Sequence, residues 1–260
     1  MNKYLKLTLL TLVLGLPTQL RAQEFRQRFA SSSDRKVVLD LREGDVTLEG
    51  YDGDELLIQG AGHVEAPPAL ANGLRPIYAG GNDNTRLGLH VAQEAGNTIR
   101  ITSAPKGDGH YTVRVPRRTD VAFLRSTWSI SSDLTVRNLA GRLEVTLTSG
   151  DLRLLNVSGA VVVNTVSGDI KAQFTGVPDQ PCAISSVSGN VDVSLPAPAK
   201  VSLSMRSISG EIYTDFDLNL GGGSGLKHVG GQTVEGRANG GGTSFSLKTV
   251  SGDIFVRKAK

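Results

Sequence analysis

The chain has one cysteine and one tryptophan in 260 residues. Cys182 has no partner within the chain, so no internal disulfide staples the fold and stability must come from packing. Aromatic residues make up 5% of the chain, against 31 glycines. That balance suits many tight turns around narrow, aliphatic interior layers. It leaves few rings to act as sugar platforms, with Trp128 the only tryptophan. Long apolar stretches are missing as well. The one run, residues 7–16, falls well short of the roughly 20 residues a membrane-spanning helix needs.

That run has the marks of an export signal instead. Lys3 and Lys6 precede it, Pro17 breaks it, and Ala22 offers a small residue for cleavage before Gln23. Residues 1–22 are expected to be a signal peptide, with a retained membrane anchor as the weaker alternative. The only cysteine, Cys182, lies far beyond the run, so a lipoprotein anchor is expected to have no attachment point. The mature chain is expected without a transmembrane span, in the periplasm, secreted, or at the cell surface.

An excess of one charge is also absent. The formal net charge of +3 includes Lys3, Lys6 and Arg21, which leave with the signal; 28 − 3 = 25 basic residues then face 25 acidic ones. Binding a phosphate backbone requires a basic face, so nucleic acid is not an expected partner. Arg114, Arg117 and Arg118 form a small basic cluster, read as an ordinary solvated strand end.

What the chain does have is repetition. TVSGDI occurs at 165–170 and again at 249–254, with relatives TSGDL at 148–152, VSGNV at 187–191 and ISGEI at 208–212. Turn glycines fall at 141, 150, 159 and 168, a step of nine; later steps are 21, 21 and 42, to 189, 210 and 252. The same step aligns apolar columns. One runs Leu134, Leu143, Leu152, Val161, Ile170; a second runs Val136, Val145, Leu154, Val163, Ala172; a third runs Leu139, Thr148, Val157, Val166. Between the first two lie Thr135, Glu144, Arg153, Val162 and Lys171. Alternation with period two marks strands that bury one face. Two nine-residue units make an 18-residue circuit, enough to wind once around a narrow core and return one strand spacing higher, about 4.8 Å. The expected fold is all-β: a parallel β-solenoid, β-helix-like, of short strands with Ser-Gly-Asp turns. Glycine permits positive φ at such corners, and Ser and Asp can bond local backbone groups.

Residues 23–125 read as an irregular N-terminal β region capping the solenoid of 126–260, continuous with it. Strands are expected near 37–41, 45–49, 55–59, 86–91, 98–102 and 111–115, the last ended by Pro116. Residues 66–84 read as a long loop, and 221–242 as a loop plus one loose coil.

The ordered set of EGDVTLEGYDGDELLIQ at 43–59, HYTVRVPRRTDV at 110–121, the Ser-Gly-Asp repeats and NGGGTSFSLKTVSGDI at 239–254 resembles the bacterial adhesin-like families of β-strand-repeat domains of unknown function. The resemblance implies a β-helix-like fold and an envelope or cell-surface setting. It brings no catalytic residues.

Candidate chemistry is thin. Asp133, Asp151, Asp169, Asn190, Glu211 and Asp253 should line one edge. Calcium takes roughly six to eight oxygen ligands, but Arg142 and Ala160 fill the alternate corners, so turn formation explains the acids. His63, His90, His110 and His228 show no ligand spacing for zinc. No Gly-x-Ser-x-Gly elbow occurs, and 221–242 lacks the Gly-Lys-Ser/Thr ending of a phosphate loop. Polysaccharide-cleaving enzymes also use β-solenoids, yet the candidate acids Glu144 and Asp192 stand singly. No catalytic, cofactor-binding or metal residue is assigned and no cofactor is expected. The reading is a non-enzymatic exported envelope protein, an adhesin or scaffold. Its partner would be an envelope protein, a glycan or a second copy. The alternative is a polysaccharide-active enzyme on a β-helix.

Overall fold

The computed structural model describes residues 23–64, 69–74, 81–104, 107–125, 132–219 and 232–259, so the expected signal at 1–22 lies outside the described residues. Apart from one 3-10 turn at Ala69–Ala71, every regular element among them is a strand. The strands form two sheets, one of ten and one of eleven, whose inward faces share one aliphatic core.

The repeat region alternates between the sheets. Leu134–Arg137, Leu152–Val157 and Ile170–Phe174 lie side by side in the first sheet; Leu143–Leu147 and Val161–Ser167 lie in the second. Pairing is parallel, with Leu152 aligned to Leu134 and Ile170, and Val145 to Val163. These residues thus meet their counterparts 18 positions on, as the circuit requires, until an irregularity after Leu154 aligns Val157 with Phe174. The first two apolar columns are buried throughout, while Glu144, Arg153 and Lys171 face solvent. In the third column, Leu139, Thr148 and Val157 are buried and Val166 is only partly so. Coils wind this way because the alternation leaves each strand with one apolar face. The only place to bury that face is against the opposite sheet.

The coils do not stack in sequence order. Lys36–Asp40 lies between Thr98–Ser103 and Asp120–Arg125, and Val46–Tyr51 between Gly107–Pro116 and Leu134–Arg137. The other end repeats the arrangement. Thr243–Ser251 lies between Cys182–Ser188 and Val201–Ser209, and Ile254–Lys258 between Val191–Leu195 and Ile212–Thr214. The glycine at 252 is therefore not two coils beyond Gly210 but sits between Gly189 and Gly210. The physical reason is that these segments share one inward pattern and one corner. Side-chain matching alone does not rank their order.

Antiparallel strands finish both ends. Glu55–Val64 runs against Gly107–Pro116, and Gln23–Arg28 against Glu55–Val64. Two reversals cancel, so Gln23–Arg28 points the same way as the parallel strands of its sheet. Leu89–Glu94 runs against Thr98–Ser103 in the second sheet. This strand starts later than the expected 86, because Arg86 has φ 62 and belongs to a turn built on Asp83. Of the stretch 221–242, Gln232–Ala238 is an antiparallel strand on Val201–Ser209 rather than a coil, and 221–231 lie outside the described residues.

Candidate binding surface

The Ser-Gly-Asp corners form one edge of the solenoid, and their acids make a hydrogen-bonded ladder. Each side chain accepts from the backbone N–H of the corner residue on the next coil. Asp45 Oδ1 takes Asp133 N–H at 2.9 Å, Asp133 takes Asp151 at 3.1 Å, and Asp151 takes Asp169 at 3.0 Å. Asp169 takes Asn190 at 2.8 Å, Asn190 takes Asp253 at 2.9 Å, and Asp253 takes Glu211 at 2.8 Å. The ladder follows spatial order, so it passes through 253 before 211. Partial burial pushes the Asp133 carboxyl up, but hydrogen bonds from Arg153 and the Asp151 N–H outweigh it and hold it below the usual carboxylate range.

Glycine precedes every ladder residue except Asp133, which follows Ser132, and it does so for a geometric reason. Gly168 has φ +117, and a Cβ there would stand 2.1 Å from the Gly150 carbonyl oxygen. The glycines of the opposite edge serve differently. Gly141 and Gly159 are absent from the positive-φ positions, where Asn138 and Asn156 stand instead at φ 55 and 56. A Cβ on Gly159 would meet the Gly141 oxygen at 2.0 Å, so there glycine is needed for close approach alone.

Beside the acid ladder, the outer face of the first sheet carries a row set by register: Thr47, Thr135, Arg153, Lys171, Asp192, Phe255 and Tyr213. Arg153 bonds Asp133 at 2.9 Å and Asp151 at 3.2 Å, and Arg257 bonds Asp192 at 2.9 Å. Tyr213 and Phe255 stack with ring centroids 5.2 Å apart and planes 9° from parallel. The Arg257 guanidinium lies 5.0 Å from the centroid of the Phe255 ring. A shallow depression of about 290 Å³ runs between ladder and row, reached by Asp151, Asp169, Asp192, Lys171 and Phe255. A larger one, about 470 Å³, lies on the second sheet over Ser202, Ser204 and Ser244, flanked by Asn219, Glu235 and Arg237.

The residues singled out in the sequence fall apart as sites. Glu144 is held by Arg142 at 2.8 Å. Asp192 stands in the row just described. Arg114 pairs with Glu49 at 2.9 Å and Arg117 with Asp52 at 2.6 Å, so the basic cluster is largely neutralised. His90 Nδ1 is 2.8 Å from the Asn82 carbonyl, and exposed His110 lies 3.4 Å from Asp45. Trp128 and His228 lie outside the described residues, as does the side chain of His63. Among the described residues, no three His, Cys, Asp or Glu side chains converge as a metal site would require.

Sequence reasoning missed two features. Arg125 is 1% exposed, with Nη1 donating to the Ser132 carbonyl at 2.9 Å and Nη2 to the Gly44 carbonyl at 2.6 Å. Burial pushes its guanidinium down from the ordinary value, opposed by the charges of Asp45 and Asp133. Parity could have revealed it, since Arg125 continues the inward positions Val121 and Phe123. The Tyr213–Phe255 stack left no such signal: the rings are 42 residues apart and meet only because the last coil is inserted out of order. Cys182 is buried in the core, where burial pushes its thiol up while the Val161 N–H bond at 3.4 Å opposes.

These features define a class: a two-sheet, largely parallel β-solenoid whose stacked corners are tied by an acid ladder. Residues 126–257, just over half of the 260, match the Toastrack DUF4097 family, and the chain belongs to that family. No curated protein matches it. Among solved structures, a candidate cell adhesion protein from Clostridium sporogenes is 10% identical, with 92% of this chain and 100% of that chain covered at TM-score 0.48. A candidate adhesin from Bacteroides fragilis is 12% identical over 91% and 97% of the two chains, at TM-score 0.33. A candidate lipid binding protein from Parabacteroides distasonis is 11% identical over 92% and 97%, at TM-score 0.25. Likenesses this distant carry no weight for function. No helix among the described residues is long and apolar enough to cross a membrane.

Proposed function

We propose that this is an exported, non-enzymatic envelope protein, an adhesin or scaffold that presents rigid sheet faces to an envelope protein, a glycan or another copy of itself. It would work in the periplasm or at the cell surface after loss of residues 1–22. The repeat region 126–260 and the region 23–125 act in it as one body, a reading supported by coils from both parts lying side by side in both sheets. The observation that carries the proposal is the ladder. The corner aspartates Asp45, Asp133, Asp151, Asp169 and Asp253 each spend one carboxylate oxygen on the next coil, and Asp151 gives its other to Arg153. Groups so committed hold structure and are poorly placed to move protons.

One observation favours the enzyme as second reading: Asp151, Asp169 and Asp192 share a single depression. Glycosidases need two carboxyl groups flanking one bond. The test is to assay the exported protein for release of reducing ends from cell-envelope polysaccharides, alongside a pull-down from envelope extracts. Asp151→Asn, Asp169→Asn and Asp192→Asn should each retain capture of the wild-type partner, with reducing ends at background throughout. Turnover that falls by orders of magnitude in two of these variants would replace the scaffold by a glycosidase.

A further inference from the structure

The two ends of the first sheet match each other in direction and oppose each other in charge. The sheet ends at Gln23–Arg28 on one side and Ile212–Thr214 on the other, and no described strand pairs with the outer edge of either. Both strands run the same way, because the two antiparallel steps at the first end cancel. Around Ile212–Thr214 stand the exposed acids Glu211, Asp215 and Asp217, with two cations nearby: Lys258, its ammonium 5.5 Å from the Phe216 ring centroid, and Arg257, which is paired with Asp192. Tyr213 is 46% exposed, and its ring is stacked by Phe255 on one face. On Gln23–Arg28 the side chains of Arg26 and Arg28 are 64% and 84% exposed. Their partners Glu24 and Glu55 are 26% and 18% exposed, but the guanidinium ends themselves lie largely in solvent, with donors left over for a second partner.

We propose that the protein assembles head to tail with further copies of itself. Ile212–Thr214 of one copy pairs in parallel with Gln23–Arg28 of the next and so continues the first sheet across the junction. Parity does most of the selecting. Ile212 and Phe25 both pack against the core, and Gln27 shares the side of Phe25. Setting Ile212 beside either Phe25 or Gln27 sets Tyr213 beside an arginine, Arg26 or Arg28, over the ring face that Phe255 leaves open. The register on Gln27 also brings Glu211 beside Arg26. The register on Phe25 brings Glu211 beside Glu24, a like-charge pair, so the Gln27 register wins.

Pairing of the acidic end with itself is disfavoured. Two copies of Ile212–Thr214 meeting antiparallel about Tyr213 place Glu211 opposite Asp215 twice. Two copies of Gln23–Arg28 meeting antiparallel about Arg26 would instead set Glu24 opposite Arg28, so the variants below must separate that dimer from the head-to-tail row. A heterologous contact of this kind grows into rows rather than closing as a dimer. The second sheet does not compete at the first end, where the Asn84 amide bonds both the N–H and the carbonyl of Val91, at 2.9 and 2.8 Å, on the edge strand Leu89–Glu94. The assembly rests on these edges and stands whether or not the sheet faces bind anything else.

Sedimentation velocity on the full, exported chain tests it. The expected result is a series of masses that lengthens with concentration and shortens with added salt. Tyr213→Lys with Asp215→Lys makes both ends basic, and Arg26→Glu with Arg28→Glu makes both acidic. Each double variant alone should be monomeric and folded, with a melting temperature only a few degrees lower, because all four positions are exposed and what is lost is the Arg28–Glu55 pair in one variant and the Tyr213–Phe255 stack in the other. An equimolar mixture of the two should restore the series. A wild-type chain that stays monomeric at every concentration overturns the proposal. So does either double variant that still dimerises, since that dimer would pair like ends: two Ile212–Thr214 edges in the arginine variant, two Gln23–Arg28 edges in the other.

Discussion

At the scale of single residues, the corner glycines do two different jobs that look alike in the sequence. Those at 150, 168, 189 and 252 combine positive φ with the absence of room for a Cβ. Gly168→Ala faces both obstacles at once and is expected to cost roughly 3 kcal/mol or more. Gly176 is the control: no atom lies within 4 Å of its would-be Cβ and its φ is not among the positive ones. Gly176→Ala should stay within about 0.5 kcal/mol of wild type. Urea titrations of the two variants decide the matter, and similar midpoints would mean that the corners are not closely packed. The nine-residue step revealed where the glycines are. It could not tell a corner that needs left-handed backbone from one that needs only close approach, because that depends on the carbonyl of the coil beneath.

At the scale of the strand, alternation sets which side chains meet the core. Val163 is 1% exposed and aligned with Val145 and Ile184, so Val163→Asp buries a carboxylate without a partner. Several kcal/mol should be lost. Thr135 faces outward on the first sheet, aligned with Thr47 and Arg153, and Thr135→Asp gains a nearby guanidinium. Its effect should be under about 0.5 kcal/mol. Thermal melts of both variants check the assignment, which fails if the two lose the same stability. The outward row was legible in the same way, as the polar residues between the apolar columns. What it does chemically was not: Arg153 reaches Asp133 across a coil boundary, a contact fixed by sheet register rather than by neighbours in the chain.

At the scale of the whole molecule, the last coil is interior. Thr243–Ser251 has a parallel partner on each side, so its amides are part of a continuous ladder rather than an end that frays. Hydrogen exchange should find the amides of 243–258 as protected as those of 182–195, and more protected than those of 212–219 at the true end. Early exchange of the 243–258 amides would place that coil at the end after all. The insertion also shapes the surface, since it alone brings Phe255 beside Tyr213 and Asp192.

The sequence by itself determined the secondary structure, the 18-residue winding and the inward columns of the repeat region. Each of these follows from period-two alternation and a recurring corner, which are local properties. It also marked the acids as one edge. Tertiary structure decided the order of the coils, the two antiparallel finishing ends, the burial of Arg125 and the stacking of Tyr213 on Phe255. The reason is degeneracy. Every coil offers nearly the same apolar face and the same hydrogen-bonding edges, so any coil can stack on any other as far as pattern goes. Which neighbour it takes depends on loop lengths and on what closes the ends, and those are settled only when the whole chain has packed.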